Sequence, residues 1–348
     1  MSPDKPLRLA SIATAVPPYR ASQVEVREKA RQAFGGDGAL FQRLEPVYDN
    51  AGVETRYFSR PLDWFLEPRG WTISNAAYLE VAEELLVRAA EEALQKAGLG
   101  PDAVDTIVTV SSTGVATPSL EARLLNRIGF RADVKRLPVF GLGCGGGVLG
   151  LARAAQMVAG AGETVLLLVV ELCSLTFRLD DLAKSNLVAT ALFGDGAAAL
   201  VLRPEVEGPA IRSWGEHTWP DTLDVMGWRV EDPGLGVIFQ RSIPDIVRSR
   251  FRSAADAFLA RNDLAIPDID HFVCHPGGAK VIDALEEALS CSPEALTTTR
   301  EALRDYGNMS AASVLFALER ALREKPSGRM LLTALGPGFS AGFCLLEA

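Results

Sequence analysis

The chain has 348 residues, of which 48% are hydrophobic and 23% are charged, and its formal net charge is −9. That length and composition support a large buried core and exclude a disordered chain. The negative charge argues against a general nucleic-acid-binding protein, which needs clustered Lys and Arg residues, but it leaves room for a local basic site for one anionic cofactor.

The N-terminal sequence and the cysteines predict a soluble cytoplasmic protein without disulfides. Residues 1–7 lack the apolar stretch and cleavage site of a secretion signal, and the apolar run at 165–170 is too short to span a bilayer. The cysteine count is odd and no Cys-x-x-Cys pair occurs, so neither a disulfide framework nor a thiolate zinc site is predicted. The five cysteines lie at positions 144, 173, 274, 291 and 344.

The chain contains the same structural unit twice. A helix pattern, a Pro-Asp turn and a strand pattern occupy residues 90–108, and the same order recurs at residues 255–273. In each copy a further apolar strand, a Gly-x-Gly turn and another apolar strand follow. This period is too long for a solenoid. We therefore predict a duplicated domain, with an N-terminal half at residues 1–210 and a C-terminal half at residues 211–348.

Short apolar strands that alternate with helices are typical of parallel-rich sheets covered on both faces. Tyr78, Val81 and Leu85 mark the apolar side of one helix, and Gly98 stands where a C′ glycine ends it. Two such units stacked together predict an α/β body with the layer order α/β/α/β/α. Residues 211–239 interrupt the periodicity, and we expect this segment to join the halves and to cover a cavity.

Cys144 stands between a predicted strand and a predicted helix, in the sequence Gly-Leu-Gly-Cys-Gly-Gly-Gly. Glycines on both sides allow the positive φ angles and close backbone approach of a sharp strand-to-helix elbow. A helix N-terminus favours a thiolate, so we predict a thiol pKa lowered toward neutrality and a nucleophilic role. The alternative is a small buried cysteine in a packing turn.

His275 and Asn308 are the candidate partners of Cys144. His275 follows a buried strand and precedes Pro-Gly-Gly, at a strand end where α/β sites form, whereas His271 points to the other side of that strand and is interpreted as structural. Asn308 is the counterpart of Cys144 in the duplication, although taken alone it is also a common helix N-cap. If the halves stack about a pseudo-twofold axis, the ends of equivalent strands meet, and the three residues share one pocket.

Five motifs occur together in the chain: Gly143-Cys144, His275-Pro-Gly-Gly278, Tyr306-Gly-Asn-Met-Ser310, Leu192-Phe-Gly-Asp-Gly-Ala-Ala198 and Gly336-Pro-Gly338. Together they resemble the chalcone and stilbene synthase superfamily, the type III polyketide synthases. The resemblance runs through nearly the whole chain and implies a thiolase-like duplicated α/β/α/β/α fold and an acyltransferase activity. The ketoacyl synthase that initiates fatty-acid synthesis shares the fold and a Cys-His-Asn set, but its histidine normally stands in a His-Gln-Ala-Asn context. That enzyme is the alternative, ahead of a non-catalytic thiolase-fold binding protein.

The resemblance also implies a reaction. Cys144 would take a starter acyl group from coenzyme A, in a state where its thiolate pairs with the imidazolium of His275. His275 and Asn308 would then stabilise the enolate left when malonyl-CoA loses CO2, and the enolate carbon would attack the acyl-Cys thioester. Coenzyme A thioesters are thus the implied substrates. The resemblance implies no metal or tightly bound cofactor, and the sequence contains no cluster of residues that would bind a metal.

The same resemblance assigns residues around a substrate cavity. Phe193 and Phe239 match the two gatekeeping aromatic residues of the family, and the further wall positions are Cys173, Thr176, Gly227 and Ser310. Cys173 stands where many plant enzymes have threonine. Because small and apolar residues offer no partner to a phenolic hydroxyl, we predict a medium or long fatty acyl starter and an alkylpyrone or alkylresorcinol-type product.

Two contacts outside the cavity follow from the resemblance as well. Arg43 resembles the basic residue that contacts coenzyme A, although Leu40 and Val47 replace the lysines usually found beside it. Thr117 and Pro118 match the loop that inserts a residue into the cavity of the partner subunit. The resemblance therefore implies a homodimer.

Overall fold

The structure is a computed structural model, and it describes residues 7–34, 41–42 and 45–348. Its strands are β1 Leu7–Ala15, β2 Tyr19–Ser22, β3 Thr55–Phe58, β4 Thr106–Val110, β5 Lys135–Val139, β6 Val165–Leu172, β7 Asp195–Pro204, β8 Ala210–Thr218, β9 Met226–Glu231, β10 Gly234–Phe239, β11 His271–Cys274, β12 Arg329–Gly336 and β13 Ser340–Glu347. Its helices are α1 Gln23–Ala33, α2 Pro46–Asp49, α3 Trp71–Lys96, α4 Leu120–Leu124, α5 Gly146–Ala161, α6 Lys184–Leu192, α7 Ile243–Ile246, α8 Arg252–Ala260, α9 Ala279–Leu289, α10 Thr297–Tyr306 and α11 Ser313–Arg323.

The sheet order confirms the predicted duplication. In the described residues the large sheet has nine strands in the order β11-β12-β13-β8-β1-β7-β6-β4-β5. The two halves repeat the same pairing from the middle of the sheet outward: two antiparallel pairs and then a parallel pair. The strands are β1-β7-β6-β4 in one half and β8-β13-β12-β11 in the other. The halves meet edge to edge where Arg8 pairs with Ala210. Their strands thus form one continuous sheet, which the repeat pattern alone did not predict.

Two helices form the central layer between the half-sheets. α5 packs against β4 and β6 of the first half and against β12 and β13 of the second, and α11 also contacts strands of both halves. Outer layers are provided by α3, which contacts β1, β6 and β7, and by α8, which contacts β13. The layer order α/β/α/β/α is therefore as predicted. Val148, Leu151 and Ala155 of α5 are fully buried, and burying a large aliphatic side chain contributes about 1.5–3 kcal/mol.

The segment that interrupts the repeat pattern has two structural parts. Its beginning belongs to β8, a regular strand that pairs with β13 and is the counterpart of β1. The remainder forms the hairpin β9–β10, which lies outside the large sheet. The prediction that residues 211–239 interrupt the repeat was therefore wrong for β8, whereas the hairpin supplies cavity walls as predicted. No helix in the described ranges is both long and apolar enough to cross a membrane.

Candidate active site

Cys144 lies on a tight connection between β5 and α5. A single 3₁₀ turn, Gly143–Gly145, precedes the first residue of α5, Gly146. Gly143 has a φ of +45°, and a Cβ at this position would lie 2.7 Å from the ring of Pro337. Only glycine fits that elbow, because a side chain would be both strained and in collision. The glycine-rich sequence thus places Cys144 directly before the N-terminus of a central helix.

His275 follows the last residue of β11, and its backbone N–H donates to the carbonyl oxygen of Thr333 at 2.8 Å. Its side chain is only 5% exposed. Neither ring nitrogen has a hydrogen-bond partner among the described residues, and the same holds for the buried hydroxyl of Thr333. Buried polar groups are nearly always hydrogen-bonded. The two unpartnered ring nitrogens therefore indicate an imidazole that is available to exchange a proton or to hold a substrate oxygen.

Asn308 is held in one orientation by its neighbours. Its Oδ1 accepts from the backbone N–H of Ser310 at 2.8 Å, and its Nδ2 donates to the carbonyl oxygen of Gly277 at 3.1 Å. Since an N–H only donates and a carbonyl only accepts, these two contacts fix which end of the amide is which. The second Nδ2 hydrogen can serve the Cys144 thiol or a substrate oxygen. The backbone of Asn308 also bonds to Leu192 and Gly194 of the first half, at 2.8 and 3.0 Å.

The structure brings all three predicted catalytic residues to one cavity. We call it the catalytic cavity; its walls include Cys144, Met226, Phe239, His275, Gly277, Val281, Asn308 and Thr333. Cys144 comes from the first half, whereas His275 and Asn308 come from the second. The site therefore exists only where the two halves meet, as the pseudo-symmetry argument predicted. In the parts of the chain that the structure describes, no group of His, Cys, Asp and Glu side chains could hold a metal ion.

The electrostatics of the pair differ from the prediction. Burial raises the pKa of the Cys144 thiol to about 12; hydrogen bonds to Ser310 and Asn308 act against this rise, and the charge of Glu171 adds to it. Burial also lowers the pKa of His275 to about 3. A helix dipole stabilises a thiolate by about 0.3–1 kcal/mol. A shift of one pKa unit corresponds to 1.36 kcal/mol, so the dipole alone lowers the thiol pKa by less than one unit. Burial therefore shifts the pKa of the Cys144 thiol in the direction opposite to the predicted fall toward neutrality.

Glu171 is a buried carboxyl group near Cys144 that the sequence analysis missed. It is 0% exposed and accepts hydrogen bonds from the Ser112 N–H, the Ser112 hydroxyl and the Thr113 hydroxyl, at 3.0, 2.7 and 2.8 Å. Burial nevertheless dominates these bonds and raises its pKa to about 7. The sequence did contain a signal for this residue: Glu171 directly follows the apolar strand Val-Leu-Leu-Leu-Val-Val. Charged residues are rarely fully buried, so a carboxyl group at that position is unusual.

This carboxyl group gives stability a measurable pH dependence. With a pKa of about 7 in place of 4.5, the folded chain keeps a proton that the unfolded chain has already lost between those two pH values. The contribution of Glu171 to stability must therefore fall as the pH rises through this window, by up to about 3 kcal/mol. We expect Glu171→Gln, which does not titrate, to gain about that much unfolding free energy relative to the parent between pH 4.5 and pH 8 in urea titrations.

Glu163 provides the matched control for this measurement. Its pKa is lowered by hydrogen bonds to Lys135 and Thr106, so it is ionised in both the folded and the unfolded chain above pH 5. Glu163→Gln should therefore shift stability by a constant amount from pH 5 to pH 8. If the difference in unfolding free energy between Glu171→Gln and the parent is equally independent of pH, Glu171 is ionised in the folded protein.

The predicted gatekeeping residues line a second space, which we call the gate cavity. Its walls include Cys144, Phe193, Gly227, Trp228, Val237, Phe239, Asn308 and Ser310. The ring of Phe193 meets Trp228 of the hairpin edge to face, with 6.2 Å between centroids. Phe239 lines both the gate cavity and the catalytic cavity. The structure thus places Phe193, Phe239, Gly227 and Ser310 around the same space as Cys144.

Cys173 and Thr176 line a third space, which we call the side cavity. It is mostly apolar, and its walls include Val26, Ala30, Phe58, Leu62, Phe65, Cys173, Thr176, Phe177, Phe193 and Val237. Phe193 and Val237 also line the gate cavity, so they stand between the two spaces. The side cavity therefore begins behind Phe193 and extends toward α1.

The remaining assigned residues lie elsewhere. Arg43 and Leu40 fall outside the described residues, and Val47 lines a wide outer space that opens onto the catalytic cavity. Thr117 and Pro118 are both exposed, away from the cavities described above. Exposure is compatible with the predicted contact to a partner subunit.

Arg56 is a buried cation that the sequence did not distinguish from a surface residue. It is 1% exposed, and its guanidinium donates to the carbonyl oxygens of Thr190 and Phe193 at 2.7 and 2.8 Å and to Gln23 at 2.7 Å. Two of these bonds satisfy carbonyl groups at the C-terminal end of α6, where no helical N–H follows. Arg56 thus holds the backbone of Phe193 at the gate cavity.

Comparisons with known proteins agree with this geometry. The family models for the N-terminal and C-terminal domains of chalcone and stilbene synthases match residues 8–205 and 211–345. The 1,3,6,8-tetrahydroxynaphthalene synthase of Streptomyces peucetius subsp. caesius is 42% identical, over 99% of this chain and 94% of its own length. A putative chalcone synthase of Bacillus subtilis is 38% identical, over 97% and 98%. The crystal structure of 1,3,6,8-tetrahydroxynaphthalene synthase from Streptomyces coelicolor A3(2), a bacterial type III polyketide synthase, superposes with a TM-score of 0.93 at 29% identity, covering 98% of this chain and 99% of that one.

Proposed function

The chain belongs to the chalcone and stilbene synthase family, the type III polyketide synthases, and from this membership we propose that Cys144, His275 and Asn308 catalyse acyl transfer from coenzyme A thioesters and their decarboxylative extension. The convergence of these three side chains on one cavity supports the proposal. The division of the chain at residue 210 and a cytoplasmic location stay predictions.

The loading step begins from the neutral pair. His275 takes the thiol proton as the starter thioester arrives, and the Cys144 thiolate attacks the thioester carbonyl carbon. The bond to the sulfur of coenzyme A breaks, and the departing thiolate recovers the proton from His275. The acyl group is then held as a thioester on Cys144. Because both ring nitrogens of His275 are without protein partners, one can carry this proton while the other stays free.

The extension step uses the same donors. The thioester oxygen of malonyl-CoA accepts hydrogen bonds from His275 and from the second Nδ2 hydrogen of Asn308, so that the loss of CO2 leaves a stabilised enolate. The enolate carbon attacks the acyl-Cys144 thioester and expels the thiolate, which produces a β-ketoacyl-CoA. One such hydrogen-bond donor lowers the barrier by about 3 kcal/mol. Repetition builds a poly-β-keto chain, which cyclises in the cavity.

We propose a medium or long fatty acyl starter and an alkylpyrone or alkylresorcinol-type product. The apolar side cavity behind Phe193 is the observation that carries this choice, because it offers an alkyl chain an apolar space lined by Cys173, Phe177 and Leu62. Burial of each CH2 group contributes about 0.8 kcal/mol. Longer starters are therefore preferred until the space ends.

A second candidate follows from the relative that is 42% identical, whose name is 1,3,6,8-tetrahydroxynaphthalene synthase. A hydroxylated naphthalene carries no alkyl chain, and its carbons can all come from malonyl units. Malonyl-CoA would then serve as both starter and extender. Mass spectrometry of the products distinguishes the two: the purified protein receives malonyl-CoA alone or with acyl-CoAs of increasing chain length. A naphthalene product from malonyl-CoA alone, unchanged by fatty acyl-CoA, would contradict the alkyl proposal.

A bulky residue at Cys173 tests the side cavity directly. In the parent, kcat/KM should rise about fourfold for each added CH2 up to a limiting length. Cys173→Phe should shorten that limit while leaving the loading of an acetyl starter within about twofold, since Cys173 is not among the walls of the catalytic cavity. Gly227 is the less suitable site, because its φ of +149° strains any other residue.

Cys173→Ser, which nearly keeps the side-chain volume, is the matched control. It should retain the chain-length limit of the parent. If Cys173→Phe leaves the preference for long starters unmoved, or if 4-coumaroyl-CoA is used better than every fatty acyl-CoA, the side cavity does not hold the starter.

We also propose that the protein is a homodimer in which Thr117 and Pro118 contact the partner. Exposed apolar residues near this loop, Val115 at 48% and Phe140 at 61%, support an interface there. Light scattering should give twice the mass of one chain, and a monomer at assay concentration would contradict the proposal.

A further inference from the structure

The catalytic cavity opens into a wider space whose charge differs from that of the whole protein. This outer cavity has a volume of about 660 Å³, and Phe239, Gly277 and Val281 line both spaces. Its described walls include the cations Lys184, Arg241 and Lys280 and no Asp or Glu. In a chain with a net charge of −9, such a concentration of positive charge favours an anionic ligand.

The three cations are not used to stabilise the fold. Lys184 is half-buried, Arg241 and Lys280 are exposed, and none of them forms an ion pair or hydrogen bond within the described ranges. Asp245 and Asp283, which neighbour Arg241 and Lys280 in sequence, pair instead with other arginines. Among the residues that the structure describes, none forms an ion pair with the positive charge at the outer cavity.

Two of the cations also oppose the dipoles of their helices. Lys184 is the first residue of α6, Lys280 is the second residue of α9, and neither helix has an acidic residue in its first turn or a side-chain cap. Helix N-termini favour negative charge, so Lys at these positions is unfavourable for the isolated fold. An anion in the outer cavity would be stabilised by the lysines and by both helix N-termini together.

Resting on the function proposed above, we propose that Lys184, Arg241 and Lys280 bind the phosphate groups of the coenzyme A thioester while its pantetheine arm passes Phe239 to reach Cys144. These residues come from α6, from the loop after β10 and from α9, so they differ from Arg43, the contact implied by family resemblance. Lys is a point charge and Arg a planar fork, and both are suited to phosphate oxygens.

The test compares donors that carry the phosphates with donors that lack them. Lys184→Gln, Arg241→Gln, Lys280→Gln and the triple variant are assayed with malonyl-CoA and with malonyl-pantetheine. We expect each single change to raise KM for malonyl-CoA about 3- to 5-fold and the triple change to raise it about 50-fold, with kcat within twofold. KM for malonyl-pantetheine should stay that of the parent.

A binding measurement separates this proposal from the catalytic one. Isothermal titration with coenzyme A, its 3′-dephospho form and pantetheine requires no turnover, so it reads the phosphate site even if the assigned reaction were wrong. The triple variant should lose about 50-fold in affinity for coenzyme A and none for pantetheine. Lys325→Gln is the matched control; Lys325 is exposed and precedes β12, at the end of that strand opposite to Thr333.

Three results would overturn the assignment. The first is a triple variant that binds coenzyme A within twofold of the parent. The second is an equal loss for malonyl-CoA and malonyl-pantetheine, which would mean that the side chains shape the tunnel and do not contact phosphates. The third is a larger loss with a malonyl-loaded acyl carrier protein than with malonyl-CoA, which would identify the outer cavity as a docking face for that protein.

Discussion

Cys144→Ala is expected to abolish product formation and the acyl-enzyme intermediate while the fold survives. Cys144 carries the one thiol among the described walls of the catalytic cavity, and loss of a nucleophile typically lowers kcat by roughly 10⁴- to 10⁶-fold. Removing a single sulfur from an elbow of glycines leaves only a small void, so the melting temperature should change little. Intact-mass spectrometry after incubation with a starter acyl-CoA and chromatography of the products measure both effects.

Cys291→Ala serves as the matched control, since Cys291 is a half-buried thiol that lies away from the cavity walls. It should load starter and form product at the parent rate. A starter adduct found on Cys144→Ala, but absent from a variant of another cysteine, would overturn the assignment of the nucleophile.

Alanine at His275 and at Asn308 should separate the two half-reactions. His275→Ala removes the group that takes the thiol proton and one enolate donor, so loading and malonyl decarboxylation should both fall by at least about 10²-fold. Asn308→Ala removes a donor to the enolate and a weaker contribution to the Cys144 thiol, so decarboxylation should fall by about 10²- to 10³-fold while loading falls less than tenfold. Time-resolved intact mass reports loading, and CO2 release from malonyl-CoA reports decarboxylation.

Asn308→Ala needs a control for folding, because it leaves the Ser310 N–H and the Gly277 carbonyl without partners, at a cost of about 1–3 kcal/mol each. Asn308→Asp keeps the acceptor for Ser310 and removes the donor, so it should slow decarboxylation with less loss of stability. Poor loading with normal decarboxylation in both variants would show that the roles of His275 and Asn308 are divided differently.

The fold and the meeting point of the catalytic residues could be predicted because they depend on local patterns that occur twice. Glycines around Cys144 and the strand before His275 fix each side chain at a strand end, and the pseudo-symmetry then brings the equivalent ends together. The helix that Gly98 ends is observed at Trp71–Lys96, and Gly98 has a φ of +66°. Such signals lie within a few residues of the feature they predict.

The electrostatics could not be predicted in the same way. The pKa values of Cys144 and His275 depend on how completely the surrounding layers exclude water, and that is a property of the assembled halves. In the sequence Arg56 could not be distinguished from an exposed arginine on a strand. Its hydrogen bonds depend on the position of α6, whose C-terminal end lies against it. Likewise, Lys184 and Lys280 are ordinary helix residues in the sequence, and their common cavity appears only when α6 and α9 are placed side by side.

The central helices α5 and α11 tie the two halves of the chain together. Each contacts strands from both halves, so neither half can bury its own middle layer without the other. A fragment that ends near residue 210 would display the apolar flank of α5, including Val148 and Leu151, to water. We therefore expect the two halves to unfold as a single cooperative body and truncated forms to aggregate.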